Sequence, residues 1–242
     1  AKDNAAGYSI AANWKTLLGS IDVASENASM GADMLKTTEE NYSLITEHLQ
    51  RVRDLTEQAA NGTYGSSSLK AIASEMTARL SEIDRIAKNA EFNGIKLMDG
   101  AGKALTLQVG LDSDATKSQI ILAAELFAAA DVNNLLGSNI ATFVQDAAKT
   151  SSAASKLEDI DEAITKISDR VTLIGAAQNR IDSAISSLSV QSENLTSSLS
   201  TLRDADVAEE STNYIKSQIL QQASATLLAT ANQLPSIALN LI

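Results

Sequence analysis

Leu157-Glu158-Asp159-Ile160 opens the stretch that decides the fold, residues 157–202, LEDIDEAITKISDRVTLIGAAQNRIDSAISSLSVQSENLTSSLSTL. Leu157, Ile160, Ile164, Ile167, Val171, Ile174, Gln178, Ile181, Ile185, Leu188, Ser192, Leu195, Leu199 and Leu202 follow one another by steps of three and four, and only Gln178 and Ser192 are polar. That spacing is the seam of a coiled-coil helix. At 1.5 Å per residue it predicts a helix about 70 Å long. Such a seam needs a second helix of similar length to cover it. One lies near the start: Ile10, Trp14, Leu17, Ile21, Ala24, Ala28, Gly31, Leu35, Thr38, Tyr42, Ile45, Leu49 and Val52 keep the same alternation of steps. It spans about 60 Å, and its small residues at 24, 28 and 31 allow a partner helix to come close. The two helices are expected to pair side by side.

Between the seams the pattern changes. Asn61-Gly62-Thr63-Tyr64-Gly65 breaks the first helix. A second follows, with Leu69, Ile72, Met76, Leu80, Ile83 and Ala87 on one face, and stops at Phe92-Asn93-Gly94. The short link predicts an antiparallel helical hairpin. Leu105-Thr106-Leu107-Gln108-Val109 alternates as a half-buried strand. Residues 111–117 read as a turn and Gln119 to Leu122 as the return strand, a β-hairpin expected to cap one end of the rod. Residues 123–155 are alanine-rich without a clean period and read as short helices and loops. Asp206 with Glu209 resembles a capping box for a last helix, expected to end near Gln233, before Pro235. From Ser217 to Ile242 no residue is charged, and Ile219, Leu220, Leu227, Leu228, Leu234, Ile237 and Leu241 give the tail an apolar face. An uncharged amphipathic tail needs a partner surface. The fold class is mainly α: a long antiparallel coiled-coil rod with a small β-hairpin and a C-terminal amphipathic helix.

The 242 residues carry 19 Lys plus Arg against 30 Asp plus Glu, a net charge of −11. That balance argues against nucleic acid and against a basic membrane-surface role. Without cysteine and with one histidine, disulfides, thiolate sites and His-pair metal sites are excluded. Eight aromatic residues make an aromatic-rich sandwich or barrel unlike this chain, and the single proline favours long helices. No basic segment followed by an apolar one opens the chain, so no secretory signal is visible. No run of about 18 apolar residues provides a membrane span.

Catalytic constellations are missing. His48 stands beside Glu47 without converging partners and reads as a surface residue. Asp112 and Asp114 resemble half a calcium loop, but the glycine and closing glutamate are absent, which leaves a polar turn. No phosphate loop and no G-x-S-x-G occurs. The chain is not expected to be an enzyme or to hold a cofactor. One patch stands apart: Gln50, Arg51, Val52, Arg53 and Leu55 set two arginines around a seam residue. Arginine is favoured at interfaces, though the same residues also read as a salt-bridge cluster on a helix. Two classes stay open, a self-assembling filament subunit and a coiled-coil signalling or adaptor rod. The tail favours assembly.

Several motifs resemble bacterial flagellin in its own order. Lys2-Asp3-Asn4-Ala5-Ala6-Gly7 with Ile10-Ala11 is similar to the flagellin N-terminal region, and residues 49–61, LQRVRDLTEQAAN, to its most recognisable helix. Glu82-Ile83-Asp84-Arg85-Ile86, Phe92-Asn93-Gly94 and Leu107-Gln108-Val109-Gly110 continue the order. Gly175-Ala176-Ala177-Gln178-Asn179-Arg180, Glu193-Asn194-Leu195, Asp204-Ala205-Asp206 and Gln218-Ile219-Leu220-Gln221-Gln222-Ala223 complete it. The resemblance covers 1–112 and 156–242.

The resemblance implies a structural subunit of the flagellar filament, self-assembling with other flagellin subunits through its terminal helices. It implies four parts: 1–112, an N-terminal helical hairpin plus first strand; 113–155, a short variable region; 156–203, the long rod helix, with a rod seam at Leu17, Ile21, Leu35, Ile45, Leu49, Ile164, Ile167, Val171, Ile181 and Ile185; and 204–242, an inner-tube and chaperone-binding tail. A few dozen residues that precede the Ala-Lys-Asp segment in flagellins are expected to be missing here. The resemblance further implies unfolded export by the flagellar type III machinery, a tail shielded in the cytoplasm by a small flagellin chaperone, and a second assembly factor. Lack of cysteine avoids wrong cross-links outside the cell. Gln50, Arg51, Val52, Arg53 and Leu55, with Glu75, resemble the surface that a host leucine-rich innate immune receptor reads.

Overall fold

The computed structural model describes residues 5–100, 103–112, 114–203 and 207–239, of which 5, 6, 203, 207–210 and 232–239 are described in backbone only. The chain divides into two compact units, Thr16–Glu193 and Ala1–Lys15 with Asn194–Ile242.

Two helices dominate the first unit. Helix α1, Ala5–Ala60, contains no proline, and it stops where Asn61 turns the chain. The Asn61 side-chain oxygen accepts from the Thr63 N–H at 3.1 Å. Helix α2, Ser66–Asn89, starts after Gly65 and buries Ile72, Met76, Leu80, Ile83, Ile86 and Ala87, the face expected from its spacing. The other long helix, numbered α6 in chain order, is Ala153–Arg203. Glu39 of α1 accepts from Gln178 of α6, and Arg53 pairs with Asp161. Moving forward along α1 therefore means moving backward along α6, so the two run antiparallel.

Both seams are buried where the helices meet. On α1, Ile21, Ala24, Ala28, Leu35, Thr38, Tyr42, Ile45, Leu49 and Val52 are all buried. Leu17 and Ile10 are corrections: they are 38% and 43% exposed. Spacing records the capacity for burial, and at these two positions the aliphatic stays partly open. On α6 the buried line is Ile160, Ile167, Ile174, Ile181 and Leu188, one residue per heptad, with Ala163 and Ala177 beside it. Ile164, Val171 and Ile185 flank it half-buried. The stripe is wider than a two-helix seam, because α6 faces two neighbours.

Helix α1 is one. The other is the chain between Met98 and Ala130. Arg170 of α6 donates to the carbonyls of Ala128 and Ala129 at 3.3 and 3.1 Å and lies over the Tyr42 ring, 5.8 Å from its centre. The buried Tyr42 hydroxyl donates to the Leu126 carbonyl at 3.1 Å. Burial pushes its ionisation up, against the opposing pull of Arg170.

Two small hairpins complete the unit. Strands β1, Glu91–Phe92, and β2, Ile95–Lys96, pair antiparallel about Asn93 and Gly94. Both turn residues have positive φ, 48° and 79°, which is the mirror-image turn that Asn-Gly favours. This hairpin corrects the reading of Phe92-Asn93-Gly94 as a plain helix stop. Strand β3, Leu105–Gln108, pairs with β4, Gln119–Leu122, in the register Leu105 to Leu122, with the single-turn helix α3, Ala115–Ser118, in the connection. Asn27 of α1 donates to the Gln108 carbonyl at 3.2 Å, and the Leu107 side chain fills the space that Gly31 leaves open. The pair therefore lies along the flank of α1, and any side chain larger than hydrogen at residue 31 would collide with Leu107. After a 3-10 turn at Ala124–Phe127 come α4, Val132–Leu136, and α5, Ile140–Ala147. Asp84 of α2 accepts from the Val132 N–H at 2.8 Å, a carboxylate at the helix start where the dipole favours it.

In the other unit, helix α7 runs Val207–Leu239. It passes through Pro235, where it was expected to end. Proline lacks the N–H that would bond four residues back, so the helix continues with one backbone bond fewer. Every residue from 211 to 231 is exposed.

Candidate functional site

The arginine patch sits on the Thr16–Glu193 unit. Arg51 Nε donates to Glu75 Oε1 of α2 at 2.8 Å, and Arg79 approaches the same oxygen at 3.8 Å. Two residues along α1, Arg53 grips Asp161 of α6 with two bonds, Nε to Oδ1 at 2.6 Å and Nη2 to Oδ2 at 3.3 Å. The arginines thus tie α1 to its neighbour on either side. Val52 and Leu55, expected on this surface, are fully buried beneath it. Both lie on the core face of α1, so they support the patch and present nothing to a partner. Gln50 is exposed, and Arg51, Arg53 and Glu75 are partly so.

Arg53 holds the Asp161 carboxyl below its ordinary range, chiefly by its hydrogen bond, and Arg51 does the same to Glu75. A carboxyl lowered in the folded state contributes stability above its unfolded value, near pH 4, and loses that contribution as pH falls through the folded value. Both pairs are partly exposed, so the contribution is small and screened by salt. Urea midpoints of the parent and of an Arg51→Gln, Arg53→Gln double variant should differ more at about pH 6 than at about pH 3. A difference that stays constant between those pH values would show that the carboxylates play no part.

Elsewhere the chemistry is structural. Asp112 accepts from the Asp114 N–H, and Asp114 caps α3 by accepting from the Thr116 N–H at 3.0 Å and its hydroxyl at 2.7 Å. Those bonds lower the Asp114 carboxyl. Lys117 stands 3.6 and 3.7 Å from the two carboxylates, so the chain's own cation faces them. His48 is half-buried. Among the described residues no three His, Asp or Glu gather as metal ligands would, and no helix is long and apolar enough to cross a membrane. A groove of about 380 Å³ between α1 and the strands is lined by Asn27, Met30, Met34, Phe92 and Leu105, with no acid, base or nucleophile converging in it.

The tail is the opposite kind of surface. Ile219, Leu220, Leu227 and Leu228 are exposed, Leu227 by 69% and Leu228 by 67%. Leu241 lies outside the described residues, as do the side chains of Leu234 and Ile237. Leu220, Leu227, Leu234 and Leu241 recur every seventh position, with Ala223, Thr230 and Ile237 between them, a heptad stripe within the apolar set of the tail. Thr226 and Thr230 turn their hydroxyls to backbone carbonyls of their own helix, which keeps those polar groups satisfied beside the apolar stripe.

Two family models match this chain: the bacterial flagellin N-terminal helical region over residues 1–103, and the bacterial flagellin C-terminal helical region over residues 157–242. It is 34% identical over 270 residues to the flagellin of Bacillus subtilis, covering 100% of this chain and 87% of that protein. It is 31% identical over 252 residues to the flagellar filament 33 kDa core protein of Treponema phagedenis, covering 100% and 86%. Among solved structures it is similar to the flagellin of Bacillus cereus, with a TM-score of 0.56 at 28% identity, over 67% of this chain and 88% of that one.

Proposed function

The chain belongs to the bacterial flagellin family, and from that premise we propose how it assembles, travels and meets its partners. It is a structural subunit of the extracellular flagellar filament, polymerising with other flagellin subunits, and not an enzyme. In the proposed assembly the antiparallel helices of Thr16–Glu193 are the stiff rod, and α7 is the tail that packs against other copies in the inner tube. The functional parts are then 1–112 for the rod hairpin, 113–155 for a short variable segment, 156–203 for the rod helix and 204–242 for the tail. The exposed Leu220 and Leu227 on the heptad stripe of α7 carry this reading. A helix of this composition gains little from propensity alone and depends on burying its apolar face.

Before assembly the same stripe needs cover, and a small helical flagellin chaperone in the cytoplasm fits it as a helix-in-groove partner. Export unfolded through the flagellar type III machinery, with a second assembly factor on the way, follows from the same family. The surface of Gln50, Arg51, Arg53 and Glu75 is proposed for a host leucine-rich innate immune receptor, with Val52 and Leu55 acting from below. Recognition there must compete with the ion pairs that already occupy both guanidinium groups.

Removing residues 206–242 from the flagellin of the motile cell tests the reading. Swimming should be lost, and filaments should be absent by electron microscopy. Normal swimming with the tail removed would favour the signalling or adaptor rod instead, in which the tail is dispensable.

A further inference from the structure

We propose that Asn61, in the turn joining α1 to α2, is a site of spontaneous deamidation, and that the other Asn-Gly pair, Asn93-Gly94, is protected from the same reaction by its hairpin. The sequence alone treats the two pairs alike, since both place glycine after asparagine and both are exposed. The structure separates them. At the first turn the Asn61 side-chain oxygen accepts from the Thr63 N–H at 3.1 Å. That bond closes a ring containing both the Asn61 Cγ and the Gly62 nitrogen, so the electrophile and its nucleophile are held on one small loop. The Gly62 N–H has no hydrogen-bond partner among the described residues. Around Gly62, as around Gly94, nothing lies within 4 Å of the place a Cβ would take, so the two turns differ in their backbone and not in crowding.

The reaction is balanced with water alone. The Gly62 nitrogen gives its proton to solvent and adds to Cγ of Asn61. Negative charge develops on the side-chain oxygen, the atom to which Thr63 N–H already donates, and a positioned donor at such an atom lowers the barrier. The bond from Cγ to the amide nitrogen breaks, and ammonia leaves with a proton from solvent. Water then opens the cyclic imide at either carbonyl, leaving an aspartyl or an isoaspartyl link. Either product adds one negative charge, and the isoaspartyl form lengthens the backbone by one carbon at the α1–α2 turn.

Asn93 is held differently. Its φ of 48° belongs to a two-residue turn clamped by the β1–β2 pairs Glu91 to Lys96 and Phe92 to Ile95. Its side-chain nitrogen points to the Met30 sulfur, 3.9 Å away. Rotating the Gly94 nitrogen towards Cγ would break the turn and the pairing with it, so the reaction there waits for local opening.

The test incubates the full chain in mildly alkaline buffer and measures conversion at both sites by peptide mass spectrometry, folded and in urea. Conversion at Asn61 should run at least about ten-fold faster than at Asn93 in the folded chain, with the gap closing in urea. Gly62→Ala should slow the first site by about ten-fold without lowering the melting temperature, because the added methyl meets open space but restricts the backbone that must rotate. Equal rates at the two sites in the folded chain, or faster conversion at Asn93, would overturn the proposal. So would a Gly62→Ala chain that converts at the parent rate.

Discussion

Ile181→Asp is expected to destabilise the Thr16–Glu193 unit by about 4 kcal/mol or more, since it removes a buried aliphatic and puts a charge in its place. Ile181 is fully buried on the central line of α6, in the same cluster as Leu35, Tyr42 and Ile174. Domain stabilities are about 5–15 kcal/mol, so the change removes a large part of the total. For a unit of this size it should lower the melting temperature by roughly 10 °C. Asp182→Ala, one residue on, alters an exposed side chain and should stay within about 0.5 kcal/mol of the parent. Ile181→Val separates the two components, because it trims the aliphatic without adding charge and should cost about 1 kcal/mol. Thermal melts followed by circular dichroism give the order. Identical melting temperatures for Ile181→Asp and Asp182→Ala would mean that the α6 register is wrong.

What the seams could tell was limited to what repeats. Ile160, Ile167, Ile174 and Ile181 recur every seventh residue, and a repeat over many turns survives local noise, so both long helices and their pairing were legible. The same holds for the α2 face and for the alternation that marked Leu105–Val109 as a strand. Two-residue strands around Asn93-Gly94 are too short to show a period, and only the turn chemistry marked them. Residues 123–155 hide their core for another reason. Leu126, Phe127, Phe143 and Val144 are buried against elements far away in sequence, and an alanine-rich background gives them no spacing to stand out from. Arg170 was missed because its partners are backbone carbonyls at 128 and 129, and no side-chain pattern encodes a carbonyl. Leu17 shows the reverse: its spacing fits the seam, yet it stays 38% exposed.

The candidate surfaces divided along the same line. The arginines at 51 and 53 were legible as a patch, and the depth of Val52 was already implied by the α1 seam, which runs 45, 49, 52 and on to 56, whereas the burial of Leu55 was not. A residue cannot both close a seam and face a receptor, and the packing decides for the seam. The tail was legible through what it lacks. From Ser217 onward no charge interrupts the helix, and the structure leaves residues 211–231 exposed.

That exposure makes the double variant Leu227→Asp, Leu228→Asp the sharpest test of the tail. Its effect on the Thr16–Glu193 unit should be nil, because neither side chain belongs to that unit's core. Its effect on association should be large. Leu227 sits on the heptad stripe with Leu220 and Leu234, and Leu228 widens that stripe by one position. Two carboxylates there would have to be buried in any groove or helix pair that covers the face. A loss of about 100-fold in affinity for the flagellin chaperone is expected, close to 2.7 kcal/mol, together with failure to enter filaments. Gln222→Asp supplies the control, since it adds charge to the same helix away from the line of Leu220 and Leu227 and should keep most of the binding. Pull-down and filament assembly, measured beside a melt of the rod, read all three. Chaperone binding and assembly that survive the leucine changes while failing in Gln222→Asp would place the contact face on the other side of α7.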